Sequence, residues 1–308
     1  MLTVPLIRTL FPSRVLLVGL VLIATVGFSS KAIFIKLIYA QGVSLEATML
    51  YRVLMALPFY FLILMIQLRR EVQRVSISMT EYFRMGVVGI MGYYFASFFD
   101  LKGLETVSVN LERMILYLYP SFIFLSSVFL GKKRISWVST FSLVLAYVGI
   151  AVTFLSDAQG SGRYSIMGVA FVVLSAVCFA VYVMGSEKHV IRVGSIRYTC
   201  YAMTGASVAI VVHFITIHGA VLPVITDHAM TLIFGMAILS TVMPSLLFSL
   251  GVKHLGALDV SVVGMIGPVA AVIMSSVFLG EAFTVYHLVG LFLVLAGAGG
   301  LAFIPKKA

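Results

Sequence analysis

The sequence predicts an all-α integral membrane protein with ten transmembrane helices, arranged as two inverted five-helix repeats, and three observations carry that prediction. The first is composition: 61% of the 308 residues are hydrophobic and 10% are charged, whereas a soluble globular chain carries about 25% charged residues. Too few solvated side chains remain to coat a water-facing surface, which excludes a soluble enzyme. The abundance of Leu, Val, Ile and Phe excludes a disordered chain. The second observation is a succession of apolar stretches of about 20 residues, the length that crosses the hydrocarbon core. The third is self-similarity between the two halves.

Ten stretches qualify, in order 15–40, 46–67, 84–100, 106–130, 137–155, 165–186, 195–217, 229–251, 257–279 and 284–304. Short polar breaks separate them, among them Gln67-Leu-Arg-Arg-Glu71, Gly131-Lys-Lys-Arg134, Asp157-Ala-Gln-Gly-Ser-Gly-Arg163 and Gly280-Glu281. The first stretch is too long for a secretory signal and no small-residue cleavage site follows it, so it is expected to stay in the mature protein. With the N-terminus in the cytoplasm, fifteen of the 21 Lys and Arg fall in inner segments, only Lys102 and Arg163 in outer ones, and four inside spans. That asymmetry obeys the positive-inside rule and places both termini on the cytoplasmic side of a cell (inner) membrane. The basic surplus is thereby read as loop charge, with no nucleic acid as a partner.

Several motifs recur half a chain apart. Ser126-Ser-Val-Phe-Leu-Gly131 returns letter for letter as Ser275-Ser-Val-Phe-Leu-Gly280, and Leu143-Val-Leu-Ala-x-x-Gly149 as Leu293-Val-Leu-Ala-x-x-Gly299. Pro120 matches Pro268, Lys102-Gly-Leu104 matches Lys253-His-Leu255, and Tyr51 matches Tyr201. The repeats are 1–155 and 156–308. Five helices each is an odd number, so the second repeat enters the membrane from the opposite side. Inverted repeats of this kind are an architecture of secondary transporters, with the substrate between the halves near the midplane.

These features resemble the EamA family of the drug/metabolite transporter superfamily. The likeness lies in the 5+5 helix order, a Val/Leu-rich first helix with Gly27-Phe-Ser-Ser30, and Tyr51-Arg52 early in the second. It continues in Pro-x9-10-Leu-Gly ends on helices four and nine and Leu-Ala-x-x-Gly in helices five and ten. The second repeat keeps the family's Gly-Glu as Gly280-Glu281, while the first departs from it with Gly131-Lys132. The resemblance implies movement of amino acids or other small metabolites across the membrane.

Ionisable groups at membrane depth are functional hypotheses by default. Lys31 in helix one, Arg52 in helix two and Glu112 with Arg113 in helix four are expected in one layer of the outer half. A substrate carboxylate could meet Lys31 or Arg52, and an ammonium Glu112. The plainer alternative is a structural pair, Lys31–Glu112 or Arg52–Glu112, or a first-turn position for Glu112 if helix four begins late. Helix three presents Gly86, Gly89, Tyr93, Ser97 and Asp100 at helical spacing, from which Tyr93 and Ser97 are expected to line the cavity. The candidate substrate-binding residues are thus Lys31, Arg52, Tyr93, Ser97 and Glu112. Lys36 and Glu46 are expected to reach water or pair with each other, and Asp259 to cap helix nine.

Cys178 and Cys200 sit in apolar context and read as small core residues. Lone His213 and His287 read as packing residues. His-Glu-x-x-His, Gly-x-Ser-x-Gly, paired Asp motifs and His/Cys clusters are missing from the sequence, so no enzyme, cofactor or metal site is expected. The expected partners are a small-molecule substrate and the lipid bilayer. Ala296-Gly-Ala-Gly-Gly300 offers close helix contact, within the monomer or across a homodimer. A non-transporting scaffold or receptor is the alternative function; it leaves the buried charges unexplained.

Overall fold

In hydrocarbon every backbone N–H and C=O must be satisfied within the chain, and a helix does this locally. A computed structural model describes residues 14–70, 77–131, 135–161, 165–255, 260, 263–264, 266–281 and 284–302, and those residues contain helices and no strand. The order is α1 (Arg14–Ala40), α2 (Leu45–Arg70) and α3 (Met79–Gly89), which runs through a π turn (Ile90–Phe95) into α4 (Ala96–Leu104). Next come α5 (Val109–Leu116), α6 (Tyr119–Phe129), α7 (Trp137–Ser161), α8 (Ile166–Val193) and α9 (Ser195–His218). The last group is α10 (Asp227–Ala237), a second π turn (Ile238–Val242), α11 (Met243–Leu255), α12 (Ile266–Leu279) and α13 (Val285–Ala302). Among the described residues, six helices are long and apolar enough to cross a membrane, with Ile266–Leu279 and Val285–Gly297 shorter but apolar.

The ends of these helices follow from side-chain chemistry. Ser78, Ser108, Ser165 and Thr226 each accept a hydrogen bond from an amide in the first turn of the helix they precede, satisfying donors that a helix start leaves open. Pro120 has no N–H to give, and the chain breaks before it at Tyr117-Leu118, so the expected stretch 106–130 is two helices, α5 and α6. Gly131 and Gly280, the last residues of the repeated hexapeptide, have φ of 69° and 65°. That left-handed geometry, which glycine adopts at little cost, stops the helix in both copies.

Helix α1 is the hub. It packs against α10, α11 and α12 and meets α2, α4 and α5, and Ile33, Ile35 and Ile38 enter the main apolar core from it. Helices α7 and α13 lie tightly together: a Cβ on Gly149 would sit 2.6 Å from the Gly290 carbonyl oxygen, and one on Gly297 2.6 Å from the Ala146 nitrogen. The Gly-rich run of α13 therefore meets α7 of the same chain. Large apolar side chains such as Phe61, Phe141 and Phe292 face outward, as a lipid-facing surface requires.

Candidate functional site

The charges expected in one layer converge, around a residue outside the expected set. Asp100 of α4 is buried and its Oδ2 lies 2.5 Å from the Lys31 Nζ of α1. Glu112, fully buried on α5, lies beside Asp100 and has Arg113 Nε 3.0 Å from its Oε2. Arg52 of α2 is 5% exposed and feels Asp100 electrostatically. The expected pairings Lys31–Glu112 and Arg52–Glu112 are corrected: Lys31 takes Asp100, and Glu112 takes its own neighbour. Helix α5 does begin late, at Val109, so Glu112 is a first-turn acid, and it is buried as well.

The π turn explains how α3 and α4 divide their work. Each π turn places one more residue in a turn than an α-helix does and rotates the residues beyond it by about 100°. Residues Gly86 and Gly89 accordingly press on Gly205 and Ala202 of α9, while Asp100 faces α1 rather than continuing their face. In between, the Tyr93 hydroxyl lies 3.1 Å from the Tyr182 hydroxyl of α8, with ring centroids 5.0 Å apart. Ser97 is buried in the first turn of α4. Tyr93 thus lies half-buried beside an aromatic group of Tyr182, Tyr198 and Phe179, while Ser97 is buried a turn further along.

The second half of the chain meets α1, α2 and the α5–α6 turn through hydroxyls and carbonyls. Gly27 of α1 abuts the Leu239 carbonyl and Pro244; a Cβ there would be 2.6 Å from each. The Ser30 and Ser240 hydroxyls share a 2.7 Å hydrogen bond, and Ser29 donates to the Gly267 carbonyl at 2.8 Å. Tyr60 bonds to Ser245 at 2.9 Å and Tyr117 donates to the Gly264 carbonyl at 2.6 Å. At the end carrying the 105–108 turn, the amides of Val109 and Asn110 donate to the Glu281 carboxylate at 3.0 and 3.4 Å. At the other end, Glu81 of α3 meets Arg192 of α8 at 3.1 Å.

The remaining expectations resolve individually. Glu46 lies 4.0 Å from His218 and does not pair with Lys36. His213 bonds to the Tyr94 hydroxyl at 2.8 Å, and His287 to Thr284 at 2.8 Å. Cys178 and Cys200 are both buried and unbridged. Asp259 lies outside the described residues. Asp100 stood on the expected helix-three face but not among the candidate binding residues, because the expected span 84–100 ends on it while the helix continues to Leu104.

A helical bundle with an outward-facing apolar surface and opposed charges inside it has the character of a multi-pass membrane protein. The chain belongs to the EamA-like transporter family, whose profile matches residues 15–155 and 166–303. It is 28% identical over 287 residues to the uncharacterized transporter YcbK of Bacillus subtilis (strain 168), covering 92% of this chain and 89% of that one. The uncharacterized transporter YyaM of the same organism is 27% identical over 235 residues, covering 73% of this chain and 75% of its own. A solved crystal structure superimposes with a TM-score of 0.59 at 18% identity, over 94% of this chain and 96% of that chain, a likeness of fold. The family and these relatives are transporters and not enzymes.

Proposed function

We propose that the chain is a secondary transporter of a small polar metabolite, working by alternating access between repeats 1–155 and 156–308. In this reading ten helices cross the cell (inner) membrane, both termini are cytoplasmic, and the 105–108 turn faces outward. The observation that carries it is the charged group Lys31, Asp100, Glu112 and Arg113, contributed by α1, α4 and α5, in which Asp100, Glu112 and Arg113 are buried and Lys31 is half-buried. Charges are costly at that depth, and a scaffold gains nothing from them that apolar packing would not supply. Two matching π turns, Ile90–Phe95 and Ile238–Val242, support a common ancestry for the repeats and provide paired sites of flexure, since π turns occur often at functional positions. Substrate would enter between the halves and meet the charged layer together with Arg52, Tyr93 and Ser97.

The test is flux from proteoliposomes. Purified protein is reconstituted around a mixed pool of metabolites, and mass spectrometry reads what leaves, with and without a pH gradient. Wild-type protein should release one chemical class selectively. Glu112→Gln, which keeps the shape and removes the charge, should slow that release by about tenfold or more, the loss of a charged hydrogen bond. A wild-type rate in Glu112→Gln would remove the layer from the mechanism.

A further inference from the structure

The charges of the buried layer do not balance. Lys31 is met by Asp100 and Arg113 by Glu112, and no described carboxylate lies within ion-pair distance of Arg52. The Arg52 side chain is buried, and its Nε has no hydrogen-bond partner. The ionisable groups near enough to act on it are Asp100, Tyr60 and Tyr39. Each is engaged elsewhere: Asp100 with Lys31, Tyr60 with Ser245, and Tyr39 with the Leu101 carbonyl. Counting outward does not change the surplus, because Lys36 brings one more cation and Glu281, which acts on it, one more carboxylate.

A guanidinium has five donors and no acceptor. Taken out of water, it is costly unless an anion meets it. The face of α2 that bears Arg52 continues through Ala56 to Tyr60 at four-residue spacing, and all three are buried. The π turn Ile238–Val242 packs against both α1 and α2, so its Ser240 hydroxyl and the Ser30 hydroxyl bonded to it stand on the same interface. Both buried acids, in contrast, already stand against fixed cations, Asp100 2.5 Å from Lys31 and Glu112 3.0 Å from Arg113; their oxygens accept no hydrogen bond, but a substrate ammonium there would have to compete with a cation already in place.

We propose that Arg52 binds the carboxylate of the transported substrate, and that the transported class is small organic anions without an ammonium group rather than amino acids or amines. This rests on the transporter reading above and narrows it. Arg52 is suited to the task because its planar fork matches a carboxylate with two parallel hydrogen bonds.

Liposomes containing the full-length protein are loaded with lactate, 3-hydroxybutyrate, alanine, ethanolamine and glucose at equal concentration and alkaline pH, and efflux is compared with protein-free liposomes. The two acids should leave and the other three should stay. Arg52→Gln should slow acid efflux about 10- to 100-fold, with Arg52→Lys between it and wild type. Melting of the purified protein gives a second reading: Arg52→Gln should raise Tm, and lactate should raise the Tm of wild type but not of the variant. Release of alanine, ethanolamine or glucose with both acids retained overturns the anion assignment and leaves the transporter reading standing. Retention of all five by folded, inserted protein counts against both. Unchanged acid efflux in Arg52→Gln, or a lowered Tm, makes Arg52 structural and overturns the proposal.

Discussion

Asp100 and Lys31 illustrate how a buried pair differs from its parts. Removing one member leaves the other charged and desolvated, whereas removing both returns an apolar contact. Asp100→Asn should therefore destabilise the protein by about 3 kcal/mol, the cost of an unpaired charge at membrane depth. The double variant Lys31→Met/Asp100→Leu should recover most of that stability and still lack transport. Denaturation of the purified variants in detergent, beside a flux assay, measures both quantities. Stability equal to wild type in Asp100→Asn would show that the pair is not held in a low-dielectric site. Glu112 and Arg113 are a different case: adjacent residues on a helix point about 100° apart, so the 3.0 Å approach of Arg113 Nε to Glu112 requires both side chains to bend toward each other.

At the level of elements, the α7–α13 pair makes an extensive close contact, where Gly149 faces Gly290 and Gly297 faces Ser142 and Ala146. Without a hydrophobic force between helices in lipid, such contacts rest on close backbone approach. Gly290→Leu should force the helices apart and cost about 1–3 kcal/mol, read as a lower melting temperature, with the oligomeric state unchanged because the contact lies within one chain. Most elements were legible in the sequence: nearly every expected stretch is helical where described, because apolar length is a strong signal. The π turns were not, since neither Ile-Met-Gly-Tyr-Tyr-Phe at 90–95 nor Ile-Leu-Ser-Thr-Val at 238–242 differs in kind from an ordinary membrane helix. Their single-residue offset also hid the direction of Asp100. Of the charged layer, Lys31, Arg52 and Glu112 were read from charge alone, while the direction of Asp100 depended on a rotation the sequence does not display.

For the whole molecule, the two ends of the bundle are fastened differently. The Glu281 carboxylate holds the start of α5, and the Glu81–Arg192 pair joins α3 to α8. In an alternating-access cycle only one end opens at a time, so loosening either fastening should bias which side reaches the centre. Glu281→Ala should increase labelling of a cysteine placed at Ser97 by a membrane-impermeant maleimide added from outside. Glu81→Ala should increase labelling of the same position in inside-out vesicles. Equal labelling from both sides in both variants would separate these contacts from gating.

The carboxylate at the start of α5 also concerns the order in which the chain is made. Val109 leaves the ribosome 172 residues before Glu281, so the two amides that open α5 wait for this carboxylate until α12 has been made. Residues 1–155 synthesised alone leave that helix start without its carboxylate. The later part of the chain in this respect completes the fold of the earlier part, and a protein split after residue 155 should need both fragments present together before either becomes protease-resistant.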